Sequence, residues 1–173
     1  DDVAVFLDWC SLYQKQRSSE EDASFHRGLK DVNLWYAHET TSVWILNTLP
    51  RNWNYVTAYD DRGWPTFELS VASMIKPSFR LINVAAVIQE LSNFFQDKRW
   101  IWQCLGQHGR SPPTLPSTFR RTLCAKTFTN HADHSFVARK YAMTFEEVIA
   151  SAKELSFADL QWTDSDISKL AEC

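Results

Sequence analysis

The chain has 173 residues, the length of one domain or of one core with an extension. Hydrophobic residues make up 45% and charged residues 23%, and eight tryptophans with eleven phenylalanines supply the area for a sizeable core, which excludes bulk disorder. A net charge of −3 with both signs interleaved leaves no basic patch for nucleic acid, and no apolar run approaches the length of a membrane span.

Residues 3–8 read VAVFLD, an apolar run of β-formers closed by a carboxylate. This pattern predicts a buried parallel strand with Asp8 at its carboxyl end. Ser19, with Asp22 three residues on, predicts a helix start, and Phe25, Leu29, Val32 and Trp35 or Tyr36 recur at helical spacing behind it. A second buried strand is predicted at 41–47 (TSVWILN), then a polar, aromatic-bearing loop at 50–61. Pro65 suits the opening of a helix that begins near Trp64, carries Phe67, Val71, Met74 and Ile75, and ends at Pro77. Strand, helix, strand, helix is the order of a parallel α/β sheet.

The second half reads differently. Leu81, Val84, Ile88, Leu91 and Phe95 fit a helix, with a strand at 80–88 as the competing reading. Residues 106–117 hold Pro112, Pro113 and Pro116 with two glycines and read as a linker. Helices are predicted over 132–142, from Thr144 with Glu147 closing a capping box, and after Thr163. The resulting division is a core at 1–105, a linker at 106–118 and a helical extension at 119–173.

Four cysteines, at 10, 104, 124 and 173, form neither a CxxC pair nor a disulfide framework. They read as free thiols of a reducing compartment, which predicts an intracellular, cytoplasmic protein. No signal peptide is visible, and a chain that opens on Asp1 reads as a processed or trimmed piece whose targeting segment would lie upstream.

Chemistry concentrates at one predicted edge. Glu68 falls in the first turn of the helix begun at Pro65, where free amides and the helix dipole favour a carboxylate. That helix start belongs at the carboxyl edge of the sheet, where open α/β sheets hold ligands. Trp64 and the loop aromatics Trp53, Tyr55 and Tyr59 would stack on a base while Glu68 grips a sugar hydroxyl; first-turn glutamates also occur simply to stabilise helices. Asp8 is the second candidate, as a ligand contact or a loop cap. Cys10 reads as a buried structural thiol. His131 and His134 form HxxH around Asp133, but no third metal ligand is identifiable, so no metal is predicted. With four glycines in all, Rossmann and P-loop phosphate sites are excluded.

Three segments together resemble the TIR and HET group of signalling and self-killing domains. Val5-Phe-Leu-Asp8 resembles the second TIR strand and Val43-Trp-Ile-Leu-Asn47 the third. Arg62-Gly-Trp64-Pro-Thr-Phe-Glu68 resembles the tryptophan-then-glutamate motif that opens the next helix. Asp8, Cys10 and Gln14 approximate the HET Asp…Cys…Gln string, with the cysteine one place early, and Arg62, Trp64 and Glu68 fit its Arg-x-Trp-x-x-x-Glu string. The resemblance covers about 3–76; the first TIR strand has no counterpart and would precede Asp1.

The resemblance implies a flavodoxin-like parallel sheet with flanking helices, followed here by a mostly helical C-terminal region. It implies a protein-interaction module that associates with itself or with a protein partner. The alternative it implies is an NAD glycohydrolase, with Glu68 catalytic, Asp8, Arg62 and Trp64 binding substrate, NAD as substrate and no resident cofactor.

Overall fold

A computed structural model describes residues 2–48, 57–85, 110–155, 157, 160 and 162–173. Helix α1 is a single turn at Asp8–Ser11, and α2 spans Ser19–Ala37. Strand β1 is Val43–Ile45, α3 is Gly63–Ala72 and β2 is Leu81–Asn83. Helices α4 (Pro116–Leu123), α5 (Asp133–Ser151) and α6 (Asp164–Ala171) follow.

The α/β reading holds at its centre. β1 and β2 pair in parallel, Val43 opposite Leu81 and Ile45 opposite Asn83, with α3 as the crossover between them. Parallel neighbours require such a crossover. Helix α3 is apolar on two sides and is buried on both. Ala72 joins Ile45 and Leu81 in one cluster, with Tyr36, Val43, Tyr59 and Leu69 packed around it. Phe67, Val71 and Met74 face a larger cluster shared with Val32 and Ala37 of α2, Phe119 and Leu123 of α4, and Val137, Tyr141, Phe145 and Val148 of α5. Within it Tyr141 stacks on Phe119, ring centroids 3.7 Å apart, and its hydroxyl donates to Thr114 O at 2.6 Å.

Several sequence expectations are corrected. Residues 2–7 are not a strand: they join no sheet, and Val3 (85%) and Val5 (73%) are exposed, with Phe6 resting on Trp35 at 4.5 Å between ring centroids. β-propensity alone does not make a strand without a pairing edge. The α2 cap is Ser18, one residue earlier than read: its Oγ accepts from Glu21 N, and Glu21 Oε2 accepts from Ser18 N. The start predicted at Thr144 is helix interior. α5 runs through it because Thr144 Oγ1 donates back to Lys140 O and accepts from Asn33 Nδ2 in the core. The competing strand reading wins at Leu81–Asn83; Val84 and Ala85 are helical, and the rest of the helix predicted to Phe95 lies outside the described residues.

Because α4 and α5 share the core with α2 and α3, the linker at 106–118 does not divide the described residues into separate cores. Arg110, Pro112 and Pro113 within it are buried. Among the described residues no helix is long and apolar enough to cross a membrane.

Candidate functional site

The crossover fixes where the two ends of α3 lie. At its carboxyl end, Lys76 Nζ donates to His38 O, and to Thr41 O and Thr41 Oγ1 at 2.9 Å each, so this end sits beside the start of β1. The amino end of α3 therefore lies toward the carboxyl end of β1, the edge where open α/β sheets present ligands.

Three contacts build that amino end. Gly63 N donates to Thr127 O at 2.9 Å and Thr127 N to Asp61 O at 2.8 Å, pairing Arg62 with Thr127 as an isolated parallel bridge. A Cβ on Gly63 would collide with the Phe128 ring, so only glycine admits this approach. Thr66 Oγ1 turns back to Arg62 O at 2.7 Å.

This anchoring starts the helix at Gly63 and not at Pro65. Glu68 consequently lies in the second turn, past the free amides of the first, which corrects the reading of a first-turn carboxylate. Glu68 is half-buried, and its charge acts on the Tyr59 hydroxyl. Burial first, then the Glu68 and Asp60 carboxylates, push Tyr59 up to about 12, with Arg62 opposing. Tyr59 is therefore a neutral donor at any physiological pH.

Of the other predicted site residues, Arg62 stays beside Tyr59, whereas Trp64 and Asp8 lie elsewhere. Arg62 Nη2 and Nε donate to Thr57 O at 2.8 and 3.2 Å, closing the turn that carries Tyr59. Trp64 faces α5: its Nε1 donates to Asp133 Oδ2 at 3.0 Å, and its ring lies 5.9 Å from Phe67 and 6.2 Å from Phe136. An indole committed to that packing is not a platform for a ligand at the Glu68 edge. Asp8 opens α1 and does not close a strand, because residues 2–7 leave the sheet. Cys10 is exposed, not a buried thiol. Trp53 and Tyr55 lie outside the described residues.

His131 and His134 line a depression of about 490 Å³ with Cys124, Lys126 and Phe128. No group of three or more metal-ligating side chains occurs among the described residues.

The residue that sequence reasoning passed over is Asn47, two positions beyond β1. Its Oδ1 is buried without a hydrogen-bond partner among the described residues. A polar residue closing the apolar run VWIL was the available signal. Comparison with family models, with curated proteins and with solved structures finds no match.

Proposed function

We propose that this chain is a TIR/HET-like protein-interaction module that associates with a second copy of itself through its parallel sheet. The observation that carries this reading is the outer face of β1. Ile45 is buried against α3, while its neighbours Trp44 (68%) and Leu46 (62%) stand in solvent. Parallel strands are ordinarily covered on both faces, and β1 is apolar on both. Among the described residues β1 pairs only with β2. Fully burying a side chain of this kind contributes roughly 1.5–3 kcal/mol, so two such residues from each copy supply a substantial share of a dimer contact. Size-exclusion chromatography with light scattering tests the idea. The wild type is expected to self-associate and the Trp44→Ser, Leu46→Ser protein to run as a monomer; a monomeric wild type at tens of micromolar refutes it.

A second reading, NAD glycohydrolysis, is favoured by the half-buried Glu68 carboxylate beside the neutral Tyr59 hydroxyl at the carboxyl edge of β1. A carboxylate held there would stabilise the oxocarbenium that develops as nicotinamide leaves. Arg62 and Trp64 hold the start of the motif helix in place, through Thr57 O and Asp133 Oδ2. Nicotinamide release from NAD is expected to fall by about 10²-fold or more in Glu68→Ala. Equal release by both proteins, or none by either, ends this reading.

A further inference from the structure

Lys126, His131 and His134 form a cluster that neither reading above uses. They line the depression of about 490 Å³ where α4 ends and α5 begins, a size in the range of small-molecule sites. The start of α3 holds one wall of it in place. Thr127 is pinned to Asp61 and Gly63 by backbone bonds of 2.8 and 2.9 Å, and the Phe128 ring is pressed on Gly63. The His134 ring stands edge-on to Phe128, with centroids 5.7 Å apart. Lys126 Nζ donates to Asp60 O at 2.6 Å, which occupies one of its three protons. Among the described residues the His131 and His134 side chains make no hydrogen bond, and Lys126 has no ion pair.

The balance of charge around this depression is one-sided. Residues 116–140 hold five lysines and arginines against one carboxylate, Asp133, in a chain whose net charge is −3. Asp133 is committed elsewhere: its Oδ2 accepts from Trp64 Nε1 and its Oδ1 from Asn130 Nδ2, at 3.0 Å each. Asp60 and Asp61 meet this turn through backbone carbonyls, and no Asp or Glu of the described residues lines the depression.

We infer that the depression binds a small phosphomonoester, its phosphate held by Lys126 and the two imidazoles and its organic part resting against Phe128. The ammonium keeps two donors to give, and an imidazole gives one N–H when neutral and two when protonated. Such a set suits oxygens that only accept, and charge on both sides strengthens each bond. A phosphomonoester carries nearly two charges at pH 7 and a sulfate ester one, so the phosphate gains more from the same lining. A transition metal is the competing ligand for two histidines and the nearby Cys124, but among the described residues no three such side chains are placed to share one. Neither Glu68 nor any residue of β1 lines this site, so it stands or falls apart from both proposed functions.

Histidine-ring NMR of the full chain in about 0.15 M NaCl, titrated with phenyl phosphate, tests it. The His131 and His134 resonances are expected to shift and to saturate with a Kd of about 1 mM, the affinity of two or three charge-assisted bonds after the cost of ordering. Those of His26 and His38, bonded to Asp22 and Thr40, are expected to stay in place. Phenyl sulfate should bind at least about threefold more weakly. Lys126→Gln keeps a donor for Asp60 O but not the charge, and is expected to raise Kd about tenfold. His131→Ala, at an exposed position, is expected to weaken binding severalfold with Tm unchanged. Arg139→Gln, on α5 but outside the depression, should leave Kd unchanged. No saturation at tens of millimolar, equal affinity for the two esters, or a loss in Arg139→Gln as large as that in Lys126→Gln overturns the inference; the last result would mean diffuse attraction to a basic surface and no built site.

Discussion

Arg110 is 1% exposed, and its guanidinium closes the end of α3 by donating to Ser73 O, Met74 O and Lys76 O at 2.7, 3.0 and 2.9 Å. Phe157 lies under it, 4.5 Å from the ring centroid, and Trp162 Nε1 donates to its carbonyl at 2.7 Å. Burial lowers Arg110 to about 10, which still leaves it charged at neutral pH. One planar fork thus meets three helix-end carbonyls, and it ties residues far along the chain to α3. Arg110→Met is expected to cost about 3 kcal/mol or more, read as a lowered urea midpoint. Arg110→Lys should recover little of it, because an ammonium cannot span that spread of acceptors. Nothing in the stretch GQHGRSPP distinguishes this arginine from a solvated linker residue. Its role exists only because distant carbonyls arrive around it.

At the scale of elements, Lys76 joins the end of α3 to the turn that leads into β1. Its three donors match the three oxygens around it, while burial first, and the Arg80 charge second, lower it from 10.5 to about 8. The folded chain therefore binds fewer protons at this site than the unfolded chain between about pH 8 and 10.5, so the stability linked to Lys76 is present above 10.5 and is lost as pH falls to 8. Urea midpoints are expected to climb from pH 8 toward 10, and the climb to vanish in Lys76→Met. Tyr59, held up to about 12 from 10.0, has the opposite sign: its contribution is present below pH 10 and lost above it. The element starts show how far local rules reach. Ser18 with Glu21, and Thr163 with Asp166, form complete capping boxes. The Thr144, Glu147 pair has the same spacing and caps nothing, since the preceding turn is already helical and Asn33 claims the hydroxyl. A capping motif signals a helix start only where the chain before it is free to leave the helix.

For the molecule as a whole, the two clusters on either side of α3 make it the centre of the described structure, with helices on one side and the sheet on the other. Trp44 and Leu46, at β1 on the outer face of that sheet, stand exposed and are the place of the proposed self-association. Trp44→Ser is expected to change monomer stability by no more than about 0.5 kcal/mol, because an exposed side chain loses little on truncation, while abolishing the dimer. A variant that lost stability and kept its oligomeric state would assign Trp44 to the fold and not to an interface.

The sequence by itself determined α2, α3, β1, α6 and the α/β character, because each rests on local periodicity, proline position or capping chemistry, whereas α4 was read as part of the linker and α5 as two helices. It also marked Glu68, through a motif that occupies a single helix. The tertiary structure alone decided the rest. Trp64 turned to Asp133 because α5 packs there, Gly63 was required because Phe128 lies on it, and residues 3–7 stayed outside the sheet because no edge received them. Asn47 became an unmet acceptor for the same reason that Arg110 became a cap: hydrogen-bond satisfaction depends on which distant groups are brought close, and spacing along a chain does not encode it.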